Sequence, residues 1–573
     1  MANAADVLVD MLAASGIRRV YGVAGDSLNG VTEAIRRKPD FEWLHVRHEE
    51  AAAFAAGAEA HLTNQLAVCA GSCGPGNLHL INGLFDCQRS RVPVLAIAAQ
   101  IPSQEIGGTY FQETSPQQLF RDCSHYCELV THPDQLPRLL GIAMRTAVAK
   151  RGVAVIVIPG DIALKSCSAG PISLAISPEL PRVVPQESEL DAAAEILNQA
   201  KKIAILGGAG CEGAHSELVG LAAKLKSPIV HALRGKEFIE YDNPYDVGMT
   251  GLLGFSSGYH AMMNCDALLM LGTDFPYRQF YPHNAQIIQV DLRGEQIARR
   301  TKVDLGLVGT VKDTLAALSP KLVEKSDDAY LKKCLDHYHS ARKALDDLAV
   351  GEPGKKPIHP QYLASVVNEV AAEDAIFAAD VGTPTVWSAR YLTMNGKRRL
   401  LGSFNHGSMA NALPQAIGAQ VAYPGRQVIT FSGDGGIAML LGDLLTLKQF
   451  NLPVKLIVFN NSSLGFVELE MKATGFVDYA TDLQNPNFAQ LAESAGILGL
   501  RVETPEAIRP SLEEALAHDG PALIEVLVNR QELSMPPTIS PEQVLGFSLY
   551  MIRAVMNGRG DELVDLAKTN LFR

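Results

Sequence analysis

The sequence lacks several features that would mark whole classes of protein. The 573-residue sequence contains no run of about 18 consecutive apolar residues, so no membrane-spanning helix is predicted. Lys and Arg number 50 against 62 Asp and Glu, a net charge of −12 without a basic cluster, which argues against a nucleic-acid partner. The apolar content is still 47%, and this length predicts a soluble protein of about three or four domains.

Cysteine usage and the N-terminus predict a cytoplasmic protein. The nine cysteines are odd in number and scattered, which does not suit a disulfide framework. Two pairs, Cys69 with Cys73 and Cys123 with Cys127, have three intervening residues and not the two of a zinc knuckle or redox motif. The first apolar helix contains Asp6, which suits a signal peptide poorly.

A strand, turn, helix and strand are predicted in the last third of the chain. The strands are expected at 427–432 and 454–459, with a helix at 437–450 between them. Asp434 follows the first strand and Asn461 the second, so parallel pairing should bring both to one sheet edge. Carboxylate and amide oxygens without Cys or His suit Mg²⁺, whose coordination is completed by phosphate and water.

Glycines surround the aspartate of this turn, which reads Gly433-Asp434-Gly435-Gly436. They let backbone N–H groups approach a phosphate, and the N-terminus of the next helix adds positive potential. The sequence therefore predicts a site for a magnesium diphosphate. An ordinary strand-to-helix turn and an ordinary strand exit are the alternatives when each half is taken alone.

Segments 1–180 and 358–530 both alternate strand and helix patterns, which predicts doubly wound α/β domains. The segment 171–187 is rich in Pro and Ser and is predicted to be a linker. The second predicted strand of the chain ends in His48-Glu49-Glu50. A zincin motif is excluded there because position 52 is Ala, and Glu49 taken alone is a helix N-terminal carboxylate.

The segment after the linker carries a formal dinucleotide fingerprint, Gly208-x-Gly210-x-x-Gly213. The acidic residue that should follow about 20 positions later is missing, so a simple NAD site is not predicted. Loops at 249–254 and 272–278, with Asp291 closing a strand, suit a long extended dinucleotide instead. Structural turns remain the alternative for each loop.

The end of the chain differs from the rest. Residues 544–556 are markedly apolar, and 561–570 have the pattern of a short amphipathic helix. Packing on the body of the protein is the first interpretation, and an interfacial membrane helix is the second. The charges of this segment nearly balance, so anionic lipid would add only modest attraction.

A resemblance joins these motifs. The Gly-Asp-Gly turn with Asn460-Asn461 about two dozen residues later resembles the signature of thiamine-diphosphate (ThDP) enzymes, and the turn at 71–77 resembles another of the family's loops. Almost the whole chain, including its ending, is similar to the FAD-containing, pyruvate-oxidising members. The resemblance implies a pyrimidine-binding domain at 1–181, an FAD domain at 182–335, a pyrophosphate domain at 336–530 and a membrane-binding, autoinhibitory segment at 531–573.

The resemblance also implies site residues. Asp434 and Asn461, with a carbonyl near Ser463, would hold Mg²⁺, and Glu49 would bind the aminopyrimidine ring of ThDP. Phe466, Phe111 and Gln112 would line the reacting centre, although core packing is an equal alternative for Phe111. The other ThDP contacts would be Gly407, Ser408, Met409, Gly435, Gly436, Ser462, Ser463, Leu464, Gly465 and Val467. The FAD contacts would be Thr250, Gly251, Leu252, Leu253, Thr273, Asp274, Phe275, Pro276, Tyr277 and Asp291.

The implied activity is oxidative decarboxylation of pyruvate to acetate and CO₂, with electrons passing through FAD to a membrane quinone. The resemblance further implies a homotetramer, with sites across subunit interfaces, that binds the inner face of the cell membrane reversibly through its C-terminal segment. The alternatives are an acetolactate-forming carboligase, an enzyme that oxidises pyruvate with oxygen and phosphate, and a non-enzymatic protein on the same fold. The carboligase and the phosphate-dependent enzyme have no need of the lipid-binding ending, and a non-enzymatic protein has no need of Glu49, Asp434 and Asn461 together.

Overall fold

A computed structural model gives the structure of residues 2–172, 181–533, 541–557 and 559–571. Residues 173–180 of the linker predicted at 171–187, and nearly all of the Pro-rich segment at 535–541, lie outside these described residues. The described chain forms three parallel six-stranded sheets with helices on their faces, which confirms the predicted α/β fold class.

The first sheet has the strand order β2-β1-β3-β4-β6-β5. Its strands are β1 (Arg19–Gly22), β2 (Glu42–His45), β3 (Ala67–Gly71), β4 (Val94–Gln100), β5 (Tyr126–Leu129) and β6 (Val153–Pro159). Its helices are α1 (Ala4–Ala14), α2 (Asn29–Arg36), α3 (Glu49–Thr63), α4 (Pro75–Ser90), α5 (Pro116–Leu119), α6 (Leu136–Lys150) and α7 (Gly160–Leu164). The central strands are buried on both faces, as parallel strands between two helical layers are.

The second sheet has the order β12-β11-β10-β7-β8-β9. Its strands are β7 (Ile203–Gly207), β8 (Ile229–His231), β9 (Asp246–Met249), β10 (Ala267–Leu271), β11 (Gln286–Asp291) and β12 (Leu305–Val308). Its helices are α8 (Glu187–Gln199), α9 (His215–Leu225), α10 (Lys236–Ile239), α11 (Ser256–Met263), α12 (Val311–Leu318) and α13 (Ala329–Leu348).

The third sheet has the order β14-β13-β15-β16-β18-β17. Its strands are β13 (Ile376–Ala379), β14 (Arg399–Gly402), β15 (Val428–Gly433), β16 (Lys455–Asn460), β17 (Leu498–Val502) and β18 (Ala522–Leu527). Its helices are α14 (Pro360–Val370), α15 (Thr383–Tyr391), α16 (Ala412–Ala422), α17 (Asp434–Met439), α18 (Leu444–Gln449), α19 (Gly465–Ala473), α20 (Phe488–Ser494) and α21 (Pro505–Ala517).

The prediction of a single helix at 437–450 is wrong. The structure has α17, a 3₁₀ turn at Leu441–Asp443 and then α18, and the first of these begins three residues earlier than predicted, at Asp434. The break occurs where Asp443 accepts a hydrogen bond from the backbone N–H of Arg47 in the first domain, at 2.9 Å. A contact between domains therefore overrides the local helical pattern.

The first and third domains are joined by the Ala-rich helix α3, which crosses α16. A Cβ on Gly418 would lie 2.1 Å from the carbonyl oxygen of Ala55, so only glycine permits this approach. The apolar core on this side of the two sheets is shared by both domains. The crossing fixes the loops of the first domain relative to those of the third.

Two further helices, α22 (Pro541–Met556) and α23 (Gly560–Leu571), follow the third domain. Helix α22 crosses α19 so closely that a Cβ on Gly546 would lie 2.1 Å from the carbonyl oxygen of Ala473. Tyr550 is fully buried at this crossing, and its ring lies 5.4 Å from the ammonium of Lys472. Among the described residues no helix is long and apolar enough to span a bilayer.

Candidate functional site

Four loops of the third domain meet at one edge of its sheet. They follow β13, β14, β15 and β16, which are neighbours in the sheet. Each strand is parallel to the next, so each delivers its following loop to the same edge. The predicted residues 407–409, 434–436 and 461–467 all lie in these loops or in the helices that they open.

Asp434 begins α17 and is 2% exposed. Burial raises the pKa of its carboxyl to about 6, although hydrogen bonds from Asn485 and from backbone N–H groups, including that of Ser462, act in the opposite direction. The side chain of Asn461 accepts a hydrogen bond from the N–H of Ser463 at 3.1 Å. The structure thus brings Asp434 to the turn that holds Asn461. A nearby cation would stabilise the ionised form of a buried carboxyl whose pKa is raised in this way.

Met409 also reaches this turn. A Cβ on Gly435 would lie 2.9 Å from Leu464 Cδ2 and 3.3 Å from Met409 Cε, so these three predicted contacts lie together. Gly407 has φ = +84°, and no atom of the described residues lies within 4 Å of where its Cβ would be. Ser408 shares a hydrogen bond with Asn82 of the first domain, at 2.8 Å. Open space therefore lies beside Gly407, at the junction of two domains.

Asp380 was not predicted as a site residue, yet it lies directly behind the turn. A Cβ on Gly436 would lie 2.5 Å from its Oδ2, an oxygen that is buried and has no hydrogen-bond partner within the described residues. Its Oδ1 accepts from the N–H of Ala412 at 2.9 Å, and burial raises the pKa of the carboxyl to about 7. The glycine at 436 is required because this carboxyl occupies the space of a side chain.

The start of α19 carries Gly465, Phe466 and Val467. A Cβ on Gly465 would lie 2.7 Å from Asn461 Nδ2, so glycine is needed for the helix to begin against the amide. Phe466 packs at the margin of the apolar core of the third domain, whereas Val467 is 42% exposed. Ser462 has φ = +54°, and the buried Ser463 donates its hydroxyl to Glu468 at 2.6 Å.

Glu49 is the first residue of α3 and is 7% exposed. Its Oε2 lies 2.9 Å from Nδ1 of His79, and the His79 ring stacks on that of His48 at 4.3 Å. A Cβ on Gly76 would lie 3.0 Å from Oε1 of Glu49, so the turn at 71–77 shapes the carboxylate's surroundings. His79 was not predicted, and only its position one helical turn after Pro75 could have suggested it.

Phe111 is 78% exposed, so the interpretation of core packing is wrong. Gln112 has φ = +62° and accepts a hydrogen bond from the thiol of Cys73 at 3.3 Å. The structure thus joins Gln112 to the turn beside Glu49. Within the described chain Phe111 points to solvent, and Tyr110 beside it is 46% exposed.

The predicted FAD contacts lie at the C-terminal ends of three strands of the second sheet. Thr250 follows β9, Thr273 follows β10 and Asp291 closes β11. All three side chains are buried. The hydroxyl of Thr250 and Nη2 of Arg293, beside Asp291, are buried without a hydrogen-bond partner within the described residues. These two unpartnered polar groups, a hydroxyl and a guanidinium nitrogen at the same edge of the sheet, fit a polar dinucleotide.

The fingerprint glycines serve a different purpose from that in a simple NAD site. A Cβ on Gly208 would lie 2.6 Å from Thr273 Cβ, and one on Gly210 would lie 2.7 Å from Gly272 Cα. These glycines therefore let two loops cross. A 3₁₀ turn at Ala209–Cys211 follows β7, and α9 begins only at His215.

The remaining predicted FAD residues lie along the same loops. Asp274 pairs with Arg300 at 2.8 Å and with Arg91 of the first domain at 3.4 Å. Phe275 is buried, whereas Pro276 and Tyr277 are exposed. Gly251 lies against the Phe275 ring, Leu252 packs at the margin of the second domain's core, and the carbonyl of Leu253 accepts from Arg390 of the third domain at 3.0 Å. Burial raises the pKa of Asp291.

The residues present fit the implied cofactors. The carboxylate of Asp434 and the amide of Asn461 supply oxygens of the kind that Mg²⁺ prefers. Positive potential at the start of α17 and the open space at Gly407 suit a diphosphate. The unpartnered Thr250 hydroxyl and Arg293 guanidinium suit FAD.

A network of charges connects this site to the C-terminal helices. Glu468, behind Ser463, pairs with Lys472 at 2.5 Å and with Arg530 at 3.0 Å. Arg530 also lies 3.7 Å from Asp478, which accepts from Arg559 at 2.7 Å. Since Arg559 immediately precedes α23, one chain of ion pairs runs from Glu468, beside the predicted cation loop, to the start of α23.

Comparison with known proteins gives three domain matches that follow one another along the chain. Residues 2–120 match the N-terminal TPP (thiamine pyrophosphate, ThDP) binding domain of thiamine pyrophosphate enzymes, 190–318 their central domain and 380–526 their C-terminal TPP binding domain.

Similar proteins include a Bacillus subtilis protein whose name describes it as thiamine pyrophosphate-containing, 36% identical over 99% of this chain and 98% of its own. Pyruvate oxidase of Lactiplantibacillus plantarum is 29% identical over 91% of this chain and 88% of its own. The acetolactate synthase isozyme 2 large subunit of Escherichia coli is 30% identical over 95% of this chain and 99% of its own. With these matches and the geometry of the third domain's edge, the chain belongs to the thiamine pyrophosphate enzyme family.

Proposed function

We propose that the protein is a peripheral membrane flavoenzyme that oxidises pyruvate. The overall reaction is pyruvate + H₂O + quinone → acetate + CO₂ + quinol, in which two electrons leave the substrate and reduce the acceptor. Its location is then the cytoplasm, with reversible binding to the inner face of the cell membrane. The observation that carries the proposal is the pair of helices α22 and α23: α22 packs on α19, the helix that also lines the predicted site, and α23 packs against α22.

The docked helices leave a broad apolar face in solvent. Helix α22 buries Tyr550 and Ala554 on its inner side. On its outer side five apolar residues are each more than half exposed, namely Val544, Leu545, Ile552, Val555 and Met556. Phe476, on the neighbouring loop, is 59% exposed. Such a face suits a lipid surface, and a synthase acting on soluble substrates has no need of it.

The chain's own residues then divide the work. ThDP, when bound, would supply an electron sink for decarboxylation, and FAD would supply a two-electron acceptor. Glu49, held by His79, would hold a proton at the aminopyrimidine ring. Asp434 and Asn461 would anchor the diphosphate through Mg²⁺. Phe466, at the start of α19, would lie against the reacting carbon and limit its exposure to water.

Helix α19 connects the two parts. Its first residues lie at the predicted site, whereas Lys472 on its last turn contacts the ring of Tyr550 in α22. A change at the site that moves α19 therefore acts directly on the docked helices. This arrangement supports a protein that exposes or reorients its lipid-binding face when electrons are ready for delivery to the quinone.

We propose a homotetramer whose sites form between subunits. The hydrogen bond of Glu49 stays within the first domain, and Phe111 is exposed although its neighbour Gln112 joins the turn beside Glu49. A second subunit that covers Phe111 would complete the site. Analytical ultracentrifugation should show a tetramer, and a monomer that turns over pyruvate would contradict this arrangement.

The first experiment is anaerobic addition of pyruvate to the purified protein with ThDP, Mg²⁺ and FAD, followed by visible flavin absorption. Bleaching with release of CO₂ is expected, because decarboxylation and flavin reduction are coupled. Persistent yellow colour with acetolactate formation would support the carboligase instead. Acetyl phosphate that forms only with oxygen and phosphate would support the third alternative.

The membrane role needs a separate experiment. Phosphatidylcholine vesicles that contain a quinone should accelerate turnover of the full chain, and deletion of residues 550–573 should abolish the acceleration. The matched control is Lys568→Gln, which changes an exposed charge of α23 and leaves the helices in place. Equal acceleration of the deleted and full-length proteins would overturn the membrane proposal and leave the flavin result intact.

The carboligase remains the second candidate because of a specific observation, the similarity to an acetolactate synthase over almost the whole of both chains. Its product would be formed by adding a second pyruvate, without net electron transfer to FAD. The two candidates differ in whether flavin changes redox state during turnover. The docked C-terminal helices favour the oxidase.

A further inference from the structure

The loop between α19 and α20 lies directly on the predicted cation turn. Its residues pair with the turn in antiparallel fashion, since the N–H of Leu464 donates to the carbonyl of Thr481 and the N–H of Leu483 donates to that of Ser462, both at 2.9 Å. A bridge between Ser463 and Asp482 lies between these bonds. The position of the next residues is therefore fixed relative to Asp434.

Asn485 is the residue of this loop that reaches the aspartate. Its Nδ2 lies 2.7 Å from Oδ2 of Asp434 and 3.0 Å from Oδ1 of Asn460. Both partners are acceptors, and an amide nitrogen has two hydrogens to donate. One side chain thus ties the last residue of β16 to the first residue of α17.

The orientation of this amide is set by a buried carboxylate. Asn460 donates its own Nδ2 to Oε1 of Glu525 at 2.7 Å, and Glu525 is fully buried. Asn460 must therefore present its oxygen to Asn485, and Asn485 must present its nitrogen to both neighbours. The donors and acceptors of the three hydrogen bonds that connect Glu525, Asn460, Asn485 and Asp434 are therefore fixed by the buried carboxylate of Glu525.

We propose that Asn485 is a positioning residue for the divalent cation: its hydrogen bond to Oδ2 of Asp434 fixes the orientation of the carboxylate that would bind the metal. This inference rests on the cation site proposed above but not on the identity of the electron acceptor. Partners that orient a metal's carboxylate ligand typically change metal affinity by 10- to 100-fold when removed. Asn485 orients Asp434 although the two residues are 51 positions apart in the sequence.

The test measures cation binding directly. Mn²⁺ replaces Mg²⁺ as the probe, and free Mn²⁺ is followed by electron paramagnetic resonance in the FAD-loaded protein with ThDP present. Asn485→Ala should raise the Mn²⁺ dissociation constant about 10- to 100-fold. The matched control is Asn487→Ala, because Asn487 caps α20 through the N–H of Gln490 and is two residues away on the same loop.

The outcomes separate the inference from its foundation. A wild-type protein that binds no Mn²⁺ with ThDP would overturn the cation site itself. Unchanged affinity in Asn485→Ala, or equal weakening in both variants, would overturn the role of Asn485, since equal weakening is what general disorder of the loop produces. Circular dichroism and thermal unfolding of each variant establish that the fold is intact, and Asn485→Ser, whose hydroxyl is too short to reach both partners, should weaken binding in the same direction.

Discussion

Arg559 should control whether the C-terminal helices stay docked. Its guanidinium donates to Oδ2 of Asp478 at 2.7 Å and to the backbone carbonyl of the same residue at 3.1 Å. The Asp478 side chain is 2% exposed, and its Oδ1 has no hydrogen-bond partner within the described part of the chain. Removing Arg559 leaves this carboxylate with Arg530, which lies 3.7 Å away.

The size of the effect follows from this geometry. Breaking a buried ion pair by removing one partner costs about 3–5 kcal/mol. Arg559 is 27% exposed and Arg530 remains nearby, so solvent and the second cation reduce the loss to about 2 kcal/mol. A loss of about 2 kcal/mol changes the docking equilibrium roughly 30-fold. Arg559→Gln should therefore raise the population of undocked helices by about that factor.

Hydrogen exchange of the backbone amides measures this opening directly. Amides of α22 and α23 should exchange roughly 30-fold faster in Arg559→Gln, whereas those of the three sheets should not change. Lys568→Gln is the control, since it removes one positive charge from an exposed position of α23, the helix that Arg559 precedes. Wild-type exchange rates in Arg559→Gln would refute the reasoning, as would equal acceleration in the control.

Three other predictions test separate parts of the structure. Glu49→Gln should lower the rate of pyruvate decarboxylation about 10²- to 10⁴-fold while ThDP still binds, and Glu50→Gln is the control. A near-normal rate in Glu49→Gln would exclude the proposed role of Glu49. Gly546→Ala should expose the C-terminal helices to limited proteolysis, because the added Cβ would lie 2.1 Å from a carbonyl oxygen of α19. Gly560→Ala is the control, since a Cβ there meets open space. Equal protection of both variants would show that the crossing does not hold the helices. Burial raises the pKa of Asp246 to about 8 from 3.8, so the folded state keeps a proton that the unfolded state loses, and stability should fall as pH rises from about 4 to 8. Asp246→Asn should remove up to about 1.4 kcal/mol per pH unit of that fall in urea unfolding, and parallel curves for variant and wild type would contradict this pKa.

The sequence predicts the alternation of strands and helices well because the parallel strands are buried on both faces and appear as apolar runs. The run 153–158 corresponds to β6 and 267–271 to β10. Strand β5 is harder to predict, because Tyr126–Leu129 lies at the sheet edge, is only partly buried and includes a charged residue. Edge strands carry less of the apolar signal on which such predictions rest.

The turn at Asp434 could be predicted because its chemistry is local, a carboxylate between glycines at a strand end. Asn485 could not, because its role depends on an antiparallel pairing between the loop at 481–483 and the turn at 462–464 that has no apolar periodicity. The break in the helix at 437–450 is equally non-local, since its cause is a backbone donor from residue 47.

The C-terminal helices show where both kinds of information are needed. The sequence offered two interpretations, packing on the protein and binding to a lipid surface. In the structure, Tyr550 and Ala554 pack inward while Ile552 and Val555 remain in solvent, so one helix has an apolar residue on each side. Burying the inner side requires docking, and burying the outer side requires a second apolar surface. The two interpretations are therefore compatible, and we expect the ion pair of Arg559 to set how easily the helices leave the protein.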